Sequence, residues 1–522
     1  MDQTDLSHGV NAGAILRFMR EFDAICGENH AMIITVEGDR VFEQYAAPYT
    51  ADDPHNMFSV TKCLVSLAVG FAIDEGLIRL DEPILPHFLD YPHRDDPRWQ
   101  DMTVKALLTM HSNKRFSFLQ DMTADHAALF MAAPFRRKEG FLYSNNDSHM
   151  LSALVTRVSG QSLDDYLDSR LFAPLGIAKP FWEKNKAGVC VGGSGVFLTA
   201  RQLATIAECV AAGGVWQGKQ VIPASYLQAA TARQIQPSAT YHADGFGYYF
   251  WQDGDTYRLE GLFGQFAVVI PAHHAVVTIL SMHPSDNLIA KTVQEQLIAH
   301  LFDAPSAGDI DALRDYLRER DGRNTPQAAP RNREMEAQVN GKVYRRKGLT
   351  TALTHAMTKF HNGLIPNAVH SSYPDRPVDS FDRFRFDFGE DSVRIRWQEN
   401  PCNIDFVAGM DGTARVSEVP LLQWRYRVWS HAHWEGRNLV VVTRPLNAVC
   451  TKVFRFRFGR RTLRVRTRCL PDFAVFCGYN SVAGGTFPSV PVLTPVLVGL
   501  LRGALAITKL PVRAAWDRDN AK

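Results

Sequence analysis

The stretch from residue 57 to residue 76 reads MFSVTKCLVSLAVGFAIDEG. Its apolar run is long enough for about four helical turns, and Gly76 stands where a helix C-cap is expected. The sequence therefore predicts a buried helix from about Ser59 to Glu75. Ser59 and Lys62 are three residues apart, about one turn, so their side chains share a face of this helix and can meet.

The surroundings expected for this pair favour nucleophilic chemistry. The positive end of the helix dipole stabilises a serine alkoxide and favours a neutral lysine. Burial in an apolar helix lowers the pKa of Lys62, which can then accept a proton. A Ser-x-x-Lys tetrad also arises by chance, in which case Ser59 caps the helix and Lys62 lies at the surface. Taken singly, the tetrad leaves both interpretations open.

A second candidate motif is Tyr143-Ser144-Asn145, which precedes a helix predicted from about His149 to Ser159. A tyrosine near a lysine ammonium can have its pKa lowered and act as a general base. The alternative is a buried tyrosine followed by an asparagine that caps the helix.

A third candidate motif is Leu259-Glu260-Gly261, the start of the run LEGLFGQ at 259–265, which leads into an apolar strand up to Ile270. A glycine inside a strand marks the close approach of another backbone or of a ligand. The alternative is a bend or bulge in the sheet.

Together and in this order, the three motifs resemble those of the serine β-lactamase-like superfamily, in particular its class C β-lactamase, family VIII esterase and D-aminopeptidase-like branch. That family has S-x-x-K, then Y-x-N, then a K-T-G, H-x-G or W-G-G strand motif. The resemblance covers about residues 25–300 and includes four further stretches. These stretches are DEGLIRLDEP at 74–83, MTVKALLTMHS at 102–112, LFAPLGI at 171–177 and GGSGVFLTARQL at 192–203.

The resemblance implies acyl transfer through a covalent intermediate, with no metal and no cofactor. Ser59 would attack an ester or amide carbonyl, while Lys62 and Tyr143 would share the removal of its proton and the later protonation of the leaving group. Asn145 would orient Lys62 and a substrate amide or carbonyl. The backbone N–H groups of Ser59 and Leu262 would form the oxyanion hole.

The strand motif departs from the family pattern. Leu259 stands where the family often has Lys, His or Trp, and Glu260 stands in place of Thr; in β-lactamases that Lys and Thr help to hold the substrate's carboxylate. An aliphatic side chain makes no charge-assisted bond and a nearby Glu repels an anion. Neutral esters, or amides with a free amine that Glu260 could pair with, are therefore favoured over β-lactams. Alternatively, Glu260 points outward and is salt-bridged or solvated. The candidate substrate-binding residues are Leu259, Glu260, Gly261 and Gln265.

The surrounding segments predict an α+β catalytic domain over residues 1–305, a β-lactamase/transpeptidase-like antiparallel sheet flanked by helices plus a helical subdomain. A hairpin over residues 32–45 precedes the long helix, and mainly helices follow over 100–220. The last strands and a closing helix are predicted at residues 248–251, 257–261, 265–270, 275–282 and 286–302.

A charged, Pro-rich linker is predicted over residues 306–335, with one short helix near 309–320. Beyond it apolar residues alternate with polar ones, as in VFRFRF at 453–458, and turn signals separate the strands. This pattern predicts an antiparallel, lipocalin-like β-barrel over 336–485. Some members of the family carry such C-terminal barrels.

A C-terminal tail is predicted over residues 486–522, with an apolar helix near 490–510. Pro491, Pro495 and Arg502 interrupt that apolar run, so a membrane span is not expected. The eight cysteines include no Cys-x-x-Cys pair, and the N-terminus lacks the basic and apolar regions of a signal peptide. A reduced, cytoplasmic protein is expected.

Composition and charge support two domains. The chain has 522 residues, of which 46% are hydrophobic and 21% charged, which excludes a disordered or fibrous chain. The net charge of +2 conceals −12 over residues 1–330 and +14 over 331–522. This difference predicts an acidic catalytic unit and a basic barrel that docks against it.

Two patterns in the barrel have simpler interpretations than the functional ones. His431 and His433 share a face of a strand and could be half of a metal site, but no third ligand is evident and none is assigned. An arginine stripe, with Arg455, Arg457, Arg464 and Arg466, could bind polyanions but is explained by the wet face of a two-faced strand. No nucleic-acid partner is expected.

The sequence therefore predicts a serine hydrolase, esterase or aminopeptidase/amidase-like, acting on a small-molecule or short-peptide ester or amide. A β-lactamase or D-Ala-type peptidase and an acyltransferase use the same residues and stay open. A catalytically silent binding or sensor protein is the alternative outside enzymes, against which the complete set of Ser59, Lys62, Tyr143 and Asn145 argues. The natural substrate and the oligomeric state stay open.

Overall fold

The structure is a computed structural model that describes residues 3–4, 6–25, 27–114, 125–137, 139–185, 187–237, 241–283, 285–346, 363–365, 379–400, 402–470 and 512–516. It divides into two compact units, of which the first spans Met1–Leu317 and the second takes in most of the chain from Arg318 onward. The first unit is α+β and the second is a β-barrel, so the predicted fold class is confirmed.

The first unit is built around one large sheet. Its strands are β1 (Gln3–Thr4), β2 (Glu28–Val36), β3 (Asp39–Tyr45), β4 (His55–Asn56), β5 (Phe197–Leu198), β6 (Val215–Trp216), β7 (Lys219–Gln220), β8 (Gly245–Phe246), β9 (Trp251–Asp253), β10 (Thr256–Gly261), β11 (Gln265–Ile270) and β12 (Ala275–Met282). Eight of them pair antiparallel in the order β1-β3-β2-β12-β11-β10-β9-β8, so the sheet joins strands from both ends of the unit.

The helices of this unit pack on both faces of the sheet and against one another. They are α1 (Ala12–Ala24), α2 (Val60–Asp74), α3 (Val104–Leu108), α4 (His126–Ala132), α5 (Asn145–Ser159), α6 (Leu163–Leu167), α7 (Ala200–Ala211), α8 (Ala224–Thr231), α9 (Asp286–Thr292) and α10 (Asp309–Arg323). Alternate residues of β2 reach two different cores: Ile33 packs with residues of α2, and Ile34 with residues of α1. Because both faces are covered, the strands are apolar throughout instead of alternating.

Helix α2 lies at the centre of the larger core. Every residue from Val60 to Ala72 is buried, as expected of a helix that is apolar on all sides. The predicted helix from Ser59 to Glu75 is confirmed, and so are the predicted hairpin and the strands β11 and β12.

Two predicted bounds in this unit are wrong, and the closing helix changes its geometry along its length. Helix α5 begins at Asn145 and not near His149, because the Ser144 side chain accepts the backbone amides of Asn146 and Asp147 and caps the helix there. The strand predicted at 248–251 occurs instead at Trp251–Asp253. The closing helix keeps α-helical geometry only to Thr292 and continues as one wide and one tight helical turn, which bring buried apolar residues onto the core with α1.

The second unit is a barrel of ten strands. They are β13 (Val343–Arg346), β14 (Asp379–Phe388), β15 (Ser392–Asn400), β16 (Cys402–Gly409), β17 (Arg415–Leu421), β18 (Trp424–Glu435), β19 (Asn438–Pro445), β20 (Thr451–Phe458), β21 (Thr462–Leu470) and β22 (Val512–Trp516). The sheet runs β16-β15-β14-β13-β22-β21-β20-β19-β18-β17 and closes where β16 meets β18.

The alternation predicted for the barrel strands is present. Phe454, Phe456 and Phe458 are buried in the barrel, whereas Arg455 and Arg457 between them are exposed. The arginine stripe is thus the solvent face of a two-faced strand, and an ion pair joins Arg455 to Glu435 on that face.

The segment predicted as a linker is more ordered than expected. The helix predicted near 309–320 extends over Asp309–Arg323, and a further helix, α11, spans Arg333–Val339 behind the capping side chain of Asn332. Strand β22 lies inside the predicted tail and completes the barrel between β13 and β21, a contribution too short to recognise from its five residues. The apolar helix predicted near 490–510 lies outside the described residues. Among the described helices, none combines the length and apolar character needed to cross a membrane.

Candidate active site

Ser59 stands on a constrained turn at the start of α2. It occupies the N-cap position, yet its side chain makes no capping bond. The preceding residue, Phe58, has a left-handed φ of 46°, and its amide donates to Asn56 Oδ1 at 2.9 Å, which holds the turn. Non-glycine residues in this region cost free energy and cluster at functional sites. Because it makes no capping bond to the helix backbone, the half-buried Ser59 hydroxyl is available to neighbouring side chains.

Lys62 lies one turn further along, inside the protein. Its side chain is 1% exposed, and Nζ lies 2.8 Å from Ser59 Oγ, 2.8 Å from Asn145 Oδ1 and 2.7 Å from the carbonyl oxygen of Gly193. Burial lowers the pKa of Lys62 to about 7. The structure brings Ser59 and Lys62 into contact, as their spacing predicts, and Lys62 is buried instead of lying at the surface.

Tyr143 closes the other side of Ser59. Lys62 Nζ lies 4.9 Å from the centre of its ring. Burial raises the pKa of Tyr143 well above its usual value, and the nearby Ser59 hydroxyl offsets part of that rise through hydrogen bonding. The pKa of Tyr143 is not lowered as predicted, because burial dominates and the nearby Glu260 adds to the rise. The resting side chain is a phenol, which suits a proton donor.

Asn145 is the first residue of α5 and reaches back to α2. Ser144 caps the helix, so the Asn145 side chain is available to bind Lys62 through Oδ1. Asn145 itself is exposed, which leaves its amide nitrogen open to the cleft.

Two features of the site were not identified from the sequence. The first is the Gly193 carbonyl, the third acceptor around Lys62. A Cβ at Gly193 would lie 2.8 Å from the Cβ of Asn145, so only glycine lets this backbone come close enough. The stretch at 192–203 resembles a segment of the family, but a backbone contact leaves no side-chain signal from which it could be predicted.

The second is Asp147, a buried carboxyl two residues after the motif Tyr143-Ser144-Asn145. It accepts the Ser112 hydroxyl at 2.7 Å and the Ser112 amide at 3.3 Å. Burial raises the pKa of Asp147 to about 7. These bonds fasten the loop before Ser112 to the start of α5 and so position Tyr143 and Asn145 indirectly.

Strand β10 passes directly behind Ser59. A Cβ at Gly261 would collide with the carbonyl oxygen of Met57, so the strand and the turn before Ser59 touch backbone to backbone. In the described part of the chain, the amides of Ser59 and Leu262 donate to no backbone carbonyl. Both are therefore available to an incoming oxygen.

The other candidate substrate-binding residues are placed differently from one another. Leu259 is fully buried in the core that contains α2. Gln265 is also fully buried, and its Nε2 donates to the carbonyl oxygens of Ser281 at 2.9 Å and Leu262 at 3.4 Å, so it supports the turn after β10. Glu260 is half-buried, and its Oε2 accepts Arg258 Nε at 2.7 Å. Of the two interpretations of Glu260, the salt-bridged side chain is the one observed.

An aromatic wall lines the cleft beside Tyr143. Tyr143 stacks on Trp251 with ring centres 5.7 Å apart, and Tyr241 lies 5.1 Å from Trp251 and 6.2 Å from Tyr143. Phe246 packs behind Trp251, and Phe141 lies 5.9 Å from Tyr241. The half-buried members, Phe141, Tyr143 and Tyr241, give this side of the site an apolar surface.

His431 and His433, the histidine pair of the barrel, belong to the second unit. The rings of His431 and His433 are 6.4 Å apart and nearly parallel. Among the described residues, no three His, Cys, Asp or Glu side chains gather in a way that could hold a metal ion.

Comparison with known proteins gives three kinds of match. A family model described as Beta-lactamase matches residues 24–297, more than half of the chain. A 6-aminohexanoate-dimer hydrolase of Paenarthrobacter ureafaciens is 25% identical over 223 residues, which are 38% of this chain and 56% of that protein. The chain thus spans little more than half the length of this curated relative.

Solved structures are also similar. A family VIII carboxylesterase is 16% identical, with a TM-score of 0.47 over 57% of this chain and 99% of that chain. A penicillin-binding protein homologue from Caulobacter crescentus is 15% identical, with a TM-score of 0.44 over 56% of this chain and 97% of that chain.

Proposed function

The chain belongs to the Beta-lactamase family, and from this premise we propose that it is a serine hydrolase that forms an acyl-enzyme on Ser59 with an ester or amide substrate. The observation that carries the proposal is the 2.8 Å contact between Lys62 Nζ and Ser59 Oγ, made by a buried lysine. Since the pKa of Lys62 is about 7, a large share of the lysine is neutral at physiological pH and has a lone pair for the serine proton.

In the acylation step, Ser59 Oγ forms a bond to the substrate carbonyl carbon while its proton passes to Lys62 Nζ. The carbonyl oxygen becomes an oxyanion and accepts the amides of Ser59 and Leu262, an arrangement worth about 10²–10³ in rate for each donor. Asn145 Oδ1 and the Gly193 carbonyl hold the ammonium formed on Lys62.

The leaving group departs with a proton. The bond from the carbonyl carbon to the leaving oxygen or nitrogen breaks, Tyr143 donates its phenolic proton to that atom, and Lys62 returns a proton to Tyr143. This relay uses the high pKa of Tyr143, because a phenol and not a phenolate is the donor. A water molecule beside Tyr143 then attacks the acyl carbon and gives a proton to the neutral Lys62. The bond from that carbon to Ser59 Oγ breaks, Lys62 returns the proton to Oγ, and a carboxylic acid leaves.

The substrate class follows from the walls of the cleft. Leu259 offers no positive charge to a carboxylate, and Arg258 already neutralises Glu260, so neither a free anion nor a free amine has an evident partner on β10. The aromatic wall favours an apolar group next to the scissile carbonyl. Neutral esters and amides with apolar substituents are the substrates we assign to this site.

A fluorophosphonate probe tests the nucleophile directly, because it phosphonylates an activated serine hydroxyl. The wild type should be labelled and Ser59→Ala should not. Ser66→Ala is the matched control, since Ser66 lies two turns along the same helix and bonds to the Tyr226 hydroxyl, at 2.9 Å. Labelling of Ser59→Ala at the wild-type rate would exclude Ser59 as the nucleophile.

A substrate panel then separates the remaining activities. It contains p-nitrophenyl butyrate, a D-alanine anilide, the 6-aminohexanoate dimer (because of the similarity to a hydrolase of that name) and a chromogenic β-lactam. Turnover of the β-lactam faster than of the ester would favour a β-lactamase, and ester formation with an added alcohol would favour an acyltransferase. A protein that is neither labelled nor active would be the silent binding module.

A further inference from the structure

Six arginines form a basic face on the outside of the barrel, and the proposed hydrolysis uses none of them. They lie on β20, β21 and β22, which are neighbours in the sheet and belong to the second unit. Their positions alternate with buried apolar residues, so their side chains point away from the barrel interior. One of the six is half-buried and the other five are exposed. The members of this basic face are Arg455, Arg457, Arg464, Arg466, Arg468 and Arg513.

The strand register places several of these arginines directly opposite one another. Across β20 and β21, Arg455 is opposite Arg466 and Arg457 is opposite Arg464. Arg464 is in turn opposite Arg513 on β22. Side chains in such positions have Cβ atoms about 4.5–5.5 Å apart, so like charges there repel and destabilise the sheet. Alternation explains why polar residues point outward at these positions, but a single sign of charge across three strands indicates that positive charge itself is used.

Carboxylates neutralise little of the basic face. Arg455 forms an ion pair with Glu435 on β18. The other five arginines form no ion pair and no side-chain hydrogen bond with any residue that the structure describes, and Arg464 Nε is buried without a hydrogen-bond partner. Over residues 451–516 the sequence has eleven Lys and Arg but one acidic residue, Asp472. The basic face therefore keeps most of its positive charge for a partner.

An extended anionic partner suits this face better than a compact one. The arginines follow each strand at steps of about 6.8 Å, so a compact anion would contact only part of the face. A single strand of nucleic acid is bound largely through aromatic side chains on which its bases stack. Strand β20 directs its phenylalanines into the barrel, and β21 has no aromatic residue.

A membrane surface has the complementary properties. Anionic phospholipids present many negative headgroups in one plane, and clusters of about four to eight Lys and Arg recognise them. Residues 490–510, which lead into β22 in the sequence, are largely apolar and include no Asp or Glu. Basic and apolar residues that adjoin one another are typical of proteins that bind at the membrane interface. Charge and composition thus both favour a lipid surface over an acidic protein.

We propose that the basic face docks this protein on a membrane surface that contains anionic phospholipids. The guanidinium groups contact phosphate and carboxylate oxygens of several headgroups at once, since each planar guanidinium can bind such oxygens through two parallel hydrogen bonds. The binding is peripheral and reversible. It does not depend on the hydrolase activity, because the arginines that carry it lie in the second unit.

Co-sedimentation of the full-length protein with vesicles tests this proposal. The test vesicles contain phosphatidylcholine and phosphatidylserine in a two-to-one ratio, and vesicles of phosphatidylcholine alone are the matched surface. We expect binding to the anionic vesicles to be at least about tenfold tighter than to the neutral ones. The binding should weaken with added salt, because the screening length falls from about 10 Å at 0.1 M to about 3 Å at 1 M.

Paired substitutions isolate the contribution of the basic face. Arg457→Gln combined with Arg466→Gln should weaken binding to anionic vesicles about 25-fold, because each arginine near such a surface strengthens binding about fivefold. The matched control is Arg394→Gln combined with Arg425→Gln, which removes the same charge from exposed positions on β15 and β18, outside the basic face. Its binding should stay within about twofold of the wild type, since salt screens charges away from the contact.

Charge reversal separates binding from folding. In Arg457→Glu combined with Arg466→Glu, each glutamate is opposite an arginine, Arg464 or Arg455, so like-charge pairs become opposite-charge pairs across the ladder. The Tm should therefore equal or exceed that of the wild type, while binding to anionic vesicles weakens about 100-fold or more.

Three results would overturn the proposal: no binding to anionic vesicles at low salt, equal binding to anionic and neutral vesicles, or equal binding by the wild type and by Arg457→Gln combined with Arg466→Gln. A fourth would assign the face to nucleic acid instead. That result is binding to a single-stranded oligothymidylate that is tighter than binding to the anionic vesicles and is lost in the same variant.

Discussion

Lys62 and Lys114, two buried lysines of the catalytic unit, have different surroundings although their burial and their lowered pKa values are alike. Lys62 and Lys114 are each 1% exposed, and burial lowers the pKa of each to about 7. Lys62 Nζ lies within hydrogen-bond distance of three oxygen atoms, one of which belongs to the Ser59 hydroxyl. Only Lys62 therefore has a proton donor that can become a nucleophile.

Lys114 occupies an aromatic cage instead. Its Nζ lies 3.6 Å from the ring centre of Trp99 and 3.9 Å from that of Phe135, and it donates to the Ala133 carbonyl at 3.0 Å. The rings stabilise a cation but supply no hydroxyl. The comparison teaches that desolvation makes a lysine a competent base, and that the contact with a hydroxyl decides whether this basicity serves catalysis.

The largest effect expected from this comparison concerns the two lysines themselves. Lys62→Met should lower kcat/KM for p-nitrophenyl butyrate by about 10³ or more, because the proton acceptor is lost. Lys114→Met, which removes an equally buried amine, should keep kcat/KM within about threefold of the wild type. Both variants are measured alongside fluorophosphonate labelling. Equal losses in the two variants would mean that the contact with Ser59 does not distinguish them.

A smaller effect is expected from the phenol that completes the environment of Lys62. Tyr143→Phe should lower kcat by about 10², because the leaving group loses its proton donor while the ring stays in the aromatic wall. Tyr241→Phe is the matched control, since it removes a phenol from the same wall away from Ser59, and its kcat should stay within about twofold. The loss in Tyr143→Phe should be greater for an amide than for a p-nitrophenyl ester, whose leaving group needs no proton. Identical losses for both substrates would argue against the donor role.

The pH dependence of kcat/KM tests whether the titration of Lys62 controls activity. Neutral Lys62 is the active form, so kcat/KM should be half-maximal near pH 7 and fall up to about tenfold for each pH unit below it. Asp147, with a pKa raised by burial to about 7, and Lys114 titrate in the same range. The midpoint should persist in Lys114→Met and in Asp147→Asn. A midpoint that disappears in either variant would transfer the titration to that residue.

The smallest effect is on stability and reports on Lys114 alone. Between its folded pKa of about 7 and the ordinary value of 10.5, the unfolded chain binds more protons than the folded one, so this lysine's destabilising effect fades as the pH rises. Lys114→Met should exceed the wild type in Tm by a few degrees at pH 7, and the difference should shrink toward pH 10. Lys62 titrates in both the wild type and Lys114→Met, so its effect cancels from the difference in Tm. A difference in Tm that is constant with pH would show that Lys114 is not neutralised by folding.

Residue spacing predicts the part of the site that lies on a single helix. Ser59 and Lys62 meet because they are one turn apart on one helix, which the spacing alone predicts. Lys62 and Asn145 are 83 residues apart, and only the resemblance to a family brought them together before the structure did. The Gly193 contact could not be predicted, because a carbonyl oxygen is present at every position.

The errors have equally local causes. Arg258 and Glu260 stand two apart on a strand, so they share a face and carry opposite charges, a pairing that the sequence did contain. The sequence gives Tyr143 a candidate lysine neighbour but not its burial, because that burial depends on residues as remote in sequence as Trp251. In the barrel, alternation predicted the strands, but β22 follows a long stretch without that pattern, so its membership in the sheet could not be inferred.

The backbone contact between Gly261 and Met57 limits how this enzyme can be redesigned. Since no side chain separates the strand from the turn before Ser59, no truncation can widen that edge, and any larger residue at position 261 would push the nucleophile out of alignment. Room for bulkier substrates has to come from the opposite wall, where Tyr241 and Phe141 can be shortened. Laboratory evolution of this protein should therefore accumulate its specificity changes on the aromatic side of the cleft.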